Sequence, residues 1–389
     1  MHDIESSLTS ELNDLRGAGL YRSLRCVASA QGPRITIDSR ELLNFCSNDY
    51  LGLANHPCLK EAVRRATDRY GVGAGASRLM CGNLKPYAEL ENALAEFKRK
   101  EAAIVFSSGY AANVGTISAL VGAGDVAIID KLCHASIIDG CKQSGATLRV
   151  YPHGNLEKLE SLLAQSQDAR RRLIVTETIF SMDGDQAPLP GITDLKQRYD
   201  AWLMIDEAHG TGVFGEHGRG LAEQLGVENQ VDVTMGTLSK AVGCLGGYVA
   251  GSRTLIDYLL NKARSLIYST AMPPAILAAA AESVRLIAGD EGHARREQLW
   301  QNAAALKRGL GQLGIAVSTD GPILPVRVGD EAAAVELSQA LFERGVFVSA
   351  IRYPTVAKGK ARLRVTVTAA HRSEDIRRFL DVMKGLWKR

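Results

Sequence analysis

The run Trp202-Leu203-Met204-Ile205 ends in an acid, Asp206, and continues as Glu207-Ala208-His209. About thirty residues later, Thr237-Leu238-Ser239-Lys240 sets a lysine behind two small hydroxyl residues, after the strand-like Val231-Asp232-Val233-Thr234-Met235. A lysine amine attacks carbonyl carbon and forms a Schiff base with an aldehyde. It must be neutral to do so, which partial desolvation favours. The apolar, glycine-rich Ala241–Gly247 supplies such surroundings. A carboxylate closing a buried strand needs a cationic partner, because burying it alone is costly. A protonated ring nitrogen is one such partner, and His209 is placed to hydrogen-bond a ring hydroxyl. This combination of groups suits pyridoxal 5'-phosphate, whose ring accepts electrons when its nitrogen is protonated. The plainer alternatives are a surface lysine, an acid that caps a helix and a histidine that stabilises its loop.

Further candidates follow other strand-like runs. Ser107-Ser108-Gly109-Tyr110-Ala111-Ala112-Asn113 comes after Ala103–Phe106 and opens a helix. The N–H groups of a helix start favour an anion, and Gly109 lets a phosphate approach the backbone. Simple N-capping explains the same residues. His134 follows Val126–Asp130 and could stack on a flat ring, although a lone histidine is more often structural. Ser181 follows Leu173–Glu177 and could reach a ring hydroxyl. Asp183 and Asp185 imitate a calcium loop, but the glutamate at the twelfth position is missing. Cys133-His134 lacks companion ligands for a metal. The glycine-rich Gly71–Arg78 lacks the preceding strand that dinucleotide binding requires.

The elements that must hold these residues are short apolar strands alternating with helical patterns between about residues 100 and 250: Ala103–Phe106, Val126–Asp130, Leu148–Tyr151, Leu173–Glu177, Leu203–Asp206, Val231–Met235 and Gly247–Ala250. Wholly apolar strands separated by helices imply a mainly parallel sheet covered on both faces, an α/β architecture. Ligands of such sheets lie beyond the carboxyl ends of the strands, where Glu177, Asp206 and Lys240 fall. Upstream, Leu8–Leu15 and Tyr21–Val27 read as helical and Arg34–Ile37 as a strand. Downstream, Pro274–Leu313 reads as a long helical region, followed by strands at Leu324–Val328, Val346–Ala350 and Arg362–Thr368 and helices at Ala332–Arg344 and Glu374–Trp387. The expected division is an N-terminal helical arm and short strand (1–45), a large cofactor-binding domain (46–280) and a smaller C-terminal α+β domain (281–389).

Composition limits the partners. With 46 Lys+Arg against 43 Asp+Glu, the net charge of +3 is too balanced to point to nucleic acid. Apolar runs stay far short of the ~20 residues a membrane span needs. No basic start with an apolar core marks a secretory signal. Seven cysteines without a CxxC pair read as free thiols in a reducing cytoplasm.

In this order, the runs resemble the α-oxoamine synthases, a pyridoxal-phosphate-dependent family of fold type I (aspartate-aminotransferase-like). The resemblance extends from Leu43–Leu53 to Thr366–His371, and its most particular stretches are "DEAHGTGVFGEHGRG" (206–220), "LIYSTAMPP" (266–274) and "AIRYPTVAKGKARLRVTVTAAH" (350–371). Within the family the chain is most similar to members that condense L-alanine with a pimeloyl thioester, carried by CoA or by acyl carrier protein, in biotin biosynthesis. Relatives that use glycine or serine with another acyl-CoA share the catalytic runs. The resemblance implies that Lys240 bonds the cofactor and moves protons at the substrate α-carbon, and that Asp206 pairs with the ring nitrogen. It implies that His134 stacks on the ring and touches substrate, and that Ser181 and His209 bind the ring hydroxyl. Gly109, Tyr110, Thr237 and Ser239 would hold the phosphate, with Thr270 reaching it across the interface of a homodimer. Arg352 and Asn48 would hold the amino-acid carboxylate, and Arg22 and Thr355 would contact substrate. Two departures stand beside that arginine: Tyr353 where a proline is usual, and Ala357 where a second proline is commoner.

Overall fold

A computed structural model describes residues 3–387. The outermost residues of the first and last expected segments, 1–2 and 388–389, lie outside the described residues. Among the described residues, thirteen strands form three sheets. The strands are β1 (Arg34–Ile37), β2 (Arg40–Asn44), β3 (Ala102–Phe106), β4 (Val126–Asp130), β5 (Thr147–Tyr151), β6 (Arg172–Glu177), β7 (Trp202–Asp206), β8 (Val233–Thr237), β9 (Gly247–Gly251), β10 (Ile323–Gly329), β11 (Val346–Phe347), β12 (Ser349–Ile351) and β13 (Ala361–Thr366).

The central sheet has seven strands in the order β3-β9-β8-β7-β6-β4-β5. β4, β5, β6, β7 and β8 pair in parallel, and only β9 runs against its neighbours β8 and β3. Every residue of β3, β4, β8 and β9 is buried, as a sheet covered on both faces requires. Two apolar clusters form its faces. One gathers Ile104, Phe106, Ile129, Val175, Met204 and Met235. The other gathers Val105, Ile128, Ile174, Leu203 and Ile205 and continues into the C-terminal part. Alternate side chains of one strand thus enter opposite cores.

Elements outside this sheet differ from the sequence pattern in four places. Tyr21–Val27 is not helical. Val27 bridges Ile37, and Ala28 donates to the Thr36 carbonyl (2.8 Å), so the free edge of β1 captures this stretch as an extended segment. β2 escaped the pattern because its hairpin turn uses Asp38 and Ser39 at φ of 51° and 59° in place of a glycine pair. Pro274–Leu313 divides into helices Pro274–Ala288 and Asp290–Gln312, broken at the extended Gly289. A Cβ on Gly292 would meet the Ile287 carbonyl oxygen at 2.2 Å, so this reversal needs a bare backbone. Finally, the expected strand Val346–Ala350 serves two sheets: β11 pairs with β2, and β12 pairs with β13.

Candidate active site

β6, β7 and β8 end side by side. Glu177 lies opposite Asp206, and Asp206 opposite Met235, in the parallel ladder. β8 starts at Val233, later than its sequence pattern begins, because the Asp232 carboxylate turns aside to accept from Leu203 N (2.7 Å). The strand therefore runs through Gly236 to Thr237 and delivers Lys240 on the turn that follows. That turn is closed by Gly243 N to the Lys240 carbonyl (2.8 Å) and Leu238 N to the Gly246 carbonyl (2.9 Å). Gly243 has φ +70°, and a Cβ there would lie 2.6 Å from Ala54 N.

Asp206 is buried, and each of its carboxylate oxygens accepts one hydrogen bond. Its Oδ1 accepts from Ala208 N (2.8 Å) and its Oδ2 from Asn113 Nδ2 (2.8 Å). Asn113 also donates to Ser136 Oγ (2.9 Å), and Ser136 Oγ is 2.8 Å from His134 Nδ1. Ser136 N donates to that same Nδ1 (3.2 Å), so Nδ1 is an acceptor and the imidazole proton sits on Nε2. Burial lowers the His134 pKa. One chain of hydrogen bonds thus fixes the expected ring-stacking histidine and the expected ring-nitrogen acid.

A second chain fixes Lys240. Its Nζ lies 3.0 Å from His209 Nε2, and His209 Nδ1 lies 2.6 Å from the Tyr50 hydroxyl, which donates to Asn48 Oδ1 (3.2 Å). Because the tyrosine proton goes to Asn48, His209 carries its own proton on Nδ1 and offers Nε2 to the lysine. Burial, then the Lys240 charge, hold the His209 pKa well below its ordinary value. Burial also lowers the Lys240 pKa, against the pull of Asp206 and Glu177. Beside them Glu177 is buried with Oε1 unpartnered, and burial followed by the Asp206 charge raises its pKa to about 8.

The motif reading missed two residues. Asn113 was read only as part of a helix start. Arg364 was not singled out at all, although arginines alternating within the apolar run Ala361–Val367 were the available signal. Its buried guanidinium donates to the Ser181 carbonyl (2.6 Å), Asn48 Oδ1 (3.0 Å) and Thr366 Oγ1 (3.1 Å). Among the described residues Arg364 forms no ion pair, which leaves a buried cation beside Lys240 and His209 for an anion from outside. The structure therefore joins Asn48 to Arg364. Arg352 instead donates to the Gly19 carbonyl and lines a groove of about 880 Å³ with Arg22 and Thr355.

At the other end of the site, Gly109 and Tyr110 start the helix Gly109–Leu120, with Ser108 Oγ capping Ala111 N (3.0 Å). A Cβ on Gly109 would come within 3.2 Å of Met235 Cε and 3.4 Å of Thr237 Oγ1. On Gly247 a Cβ would reach Ser108 O at 2.5 Å. Thr237 Oγ1 bonds Ser239 Oγ (2.8 Å) and the Gly246 carbonyl (2.9 Å). The helix start, two hydroxyls and bare glycines form a cradle for a phosphate. Tyr110 directs its hydroxyl away to Asp139 (2.6 Å), leaving its amide for the cradle. Ser181 is half-buried on the loop after β6, and Thr270 is exposed, bridged to Ser77. The donor set fits a flat, phosphate-bearing pyridine aldehyde: amine, buried carboxylate, neutral imidazole and cradle all converge on the carboxyl end of the sheet.

Comparison with known proteins agrees with this geometry. The model of the family "Aminotransferase class I and II" matches residues 40–383. The chain belongs to that family. The 8-amino-7-oxononanoate synthase of Geobacter sulfurreducens is 50% identical over 98% of this chain and 98% of its own. A lysine-to-alanine variant of serine palmitoyltransferase from S. paucimobilis, solved with a bound PLP–myriocin aldimine, superposes with a TM-score of 0.93 at 32% identity, covering 99% of this chain and 98% of that one. The 8-amino-7-oxononanoate synthase from Francisella tularensis superposes at 0.76 with 30% identity, covering 89% and 97%. These matches bear out the α-oxoamine synthase resemblance and the fold-type-I expectation.

Proposed function

We propose that the chain is a pyridoxal-phosphate-dependent 8-amino-7-oxononanoate synthase, joining L-alanine to a pimeloyl thioester with loss of CO2 in biotin biosynthesis. The observation that carries this is the Lys240 amine 3.0 Å from a neutral His209, beside buried Asp206 and the ion-pair-free Arg364. When bound, the cofactor supplies an electron sink for negative charge at the substrate α-carbon.

The chain's residues do the rest. Asp206, held by Asn113 and Ala208 N, keeps the ring nitrogen protonated. His134 covers the ring face, and His209 and Ser181 hold its hydroxyl. The amides of Gly109 and Tyr110, with Thr237 and Ser239 and with Thr270 of a second copy, hold the phosphate. Lys240 would hold the cofactor through its carbonyl carbon, and the incoming alanine would free the lysine amine. That amine then takes the alanine α-proton. A bond forms between the α-carbon and the acyl carbon, the carbon–sulfur bond breaks, and the thiol leaves with a proton. The carboxylate carbon departs as CO2, and Lys240 delivers to the α-carbon a second proton, taken up from solvent. Arg364 with Asn48 binds the alanine carboxylate, because this buried cation without an ion pair joins, through Asn48 and Tyr50, the hydrogen-bond chain that ends on His209 and Lys240. Arg352 joins Arg22 and Thr355 in binding the acyl donor.

Serine palmitoyltransferase superposes better than the Francisella enzyme, which keeps serine as a second reading for the amino acid. Substrate choice rests on local side chains, however, and one methyl group is worth only ~1–3 kcal/mol. The higher full-length identity to 8-amino-7-oxononanoate synthases therefore favours alanine. The same proposal includes a cytoplasmic location, the three-part division of the chain and a homodimer. For the dimer, the helix Ile4–Gly17 buries none of its residues and exposes Ile4, Leu8, Leu12 and Leu15. Among the described residues no helix is long and apolar enough to cross a membrane. Borohydride reduction of the holoenzyme, followed by peptide mass spectrometry, tests the lysine assignment. One cofactor fixed on Lys240 is expected, and a label on another lysine would refute it.

A further inference from the structure

The acyl donor of that reaction is anionic at both ends, with a distal carboxylate on its methylene chain and phosphate on its thiol carrier. The structure holds two cationic clefts at opposite ends of one segment. Arg352, Tyr353 and Thr355 line the first, and Gly359–Arg362 line the second. The first has apolar walls, among them Leu20, Leu24, Val27 and Phe347, with Arg22, Arg25 and Arg352. Apolar walls ending in guanidinium groups suit methylenes that end in a carboxylate.

The second cleft, of about 590 Å³, is of another kind. Its cations come from three parts of the chain: Arg327 from β10, Lys360 and Arg362 at β13, and His153 after β5. His153 is held between Asp130 Oδ1 (3.0 Å) and Asp185 Oδ2 (2.5 Å), and these bonds raise its pKa to about 10, so it is charged at neutral pH. Arg362 is buried and paired with Asp183. Arg327 is 69% exposed and 3.7 Å from the same carboxylate, so most of its donor capacity faces water. Among the described residues Lys360 forms no ion pair, and it is exposed. Four cations line the cleft with Asp183 and Asp185, Asp130 lies behind His153 and Glu331 accepts from Gly359 N at the rim (2.9 Å), so the charge offered to solvent is that of the exposed Arg327 and Lys360.

This cleft adjoins the reacting centre. Arg362 and Arg364 alternate on one face of β13, roughly 7 Å apart along the strand. Arg364 grips the Ser181 carbonyl while Arg362 grips Asp183 on the same loop. Moving two residues along both strand and loop leads from the proposed alanine carboxylate site into the cleft.

We propose that the cleft of Arg327, Lys360, Arg362 and His153 is the subsite for the phosphate of the acyl donor's thiol carrier, so that the donor lies across the reacting centre with its distal carboxylate in the Arg22 groove. The proposal rests on the acyl-thioester reading above. Exposed guanidinium and ammonium groups bind phosphate without altering the core, so charge reversal at Arg327 and Lys360 is a safe probe.

The test uses holoenzyme carrying Arg327→Glu and Lys360→Glu, with pimeloyl-CoA and with the phosphate-free pimeloyl N-acetylcysteamine thioester as donors. KM for pimeloyl-CoA should rise about tenfold or more with kcat held, while KM for the phosphate-free donor stays within twofold. Equal effects on both donors, or none on either, would overturn the subsite. Calorimetric titration with coenzyme A alone, and with 4'-phosphopantetheine alone, separates this from the reaction itself. Weaker binding of either probe by the variant supports the subsite even if wild-type enzyme turns over no pimeloyl thioester, an outcome that would sink only the function. A loss confined to coenzyme A points to the nucleotide phosphates, and a loss for both points to the phosphate shared with a carrier protein. Unchanged binding of both refutes the subsite.

Discussion

At the residue scale the chemistry depends on two short chains of hydrogen bonds that hold Asp206 and Lys240 from opposite sides. Lys240, Asp206, His134 and His209 were legible because nucleophile, acid and imidazole each close an apolar strand or follow it within a few residues. Asn113 and Arg364 were not, because their partners lie 93 and 316 residues away in sequence, on Asp206 and Asn48. Asn113 should matter as a positioning residue. A hydrogen bond to a buried charge contributes about 1.5–3 kcal/mol, so Asn113→Ala should lower kcat roughly 10- to 100-fold. Asn113→Asp should do at least as badly, because it sets a second carboxylate against Asp206; normal kcat in the alanine variant would refute the role. Arg364→Lys loses the planar fork that fits a carboxylate. KM for L-alanine should then rise by roughly 10- to 100-fold, with KM for pimeloyl-CoA little changed. A rise confined to the acyl donor would return the alanine carboxylate to Arg352.

At the element scale, function sits where parallel strands stop. The alternation of apolar strands with helices marks all seven strands of the central sheet: six are wholly or largely buried and carry a continuous apolar signal, while the edge strand β5 is exposed along most of its length. The surrounding pieces were less legible because tertiary partners decide them. The edge of β1 draws Tyr21–Val27 out of a helix, and one stretch, Val346–Ile351, leaves one sheet for another. The antiparallel β9 closes against β3 so tightly that Gly247 and Gly109 meet backbone to backbone. The cradle at the start of Gly109–Leu120 therefore has little spare room. Gly109→Ala places a methyl 3.2 Å from Met235 Cε and 3.4 Å from Thr237 Oγ1. Both can yield slightly, so the expected effect is about a tenfold weaker cofactor affinity in a titration of apoenzyme, with the fold retained. Unchanged affinity would remove Gly109 from the cradle.

At the scale of the whole molecule, distant parts of the chain are tied together at His371. Its Nε2–H donates to the Asn44 carbonyl (3.1 Å), and its Nδ1 accepts from Thr368 N (3.0 Å). Asn302, from the helix Asp290–Gln312, donates to the carbonyls of Thr368 and His371, and Phe45 stacks on the ring at 4.4 Å. Both ring nitrogens are committed to the neutral form, and burial lowers the His371 pKa to about 4. The unfolded chain binds this proton near pH 6.5 and the folded chain does not. The contribution is thus complete above about pH 6.5 and is lost as the pH falls toward 4, amounting to about 3 kcal/mol at most. In urea unfolding, the stability gap between wild type and His371→Gln should narrow from pH 7 to pH 4.5; a constant gap would contradict this. The reaction itself belongs to this scale, since its site draws on β6, β7, β8, β13 and the segment Asn48–Tyr50 together. The most direct test supplies holoenzyme with pimeloyl-CoA and either L-alanine, glycine or L-serine, and follows free thiol, CO2 and product mass. The account predicts thiol and CO2 released one for one with L-alanine, with 8-amino-7-oxononanoate formed. Release with glycine or L-serine but not with L-alanine would contradict it.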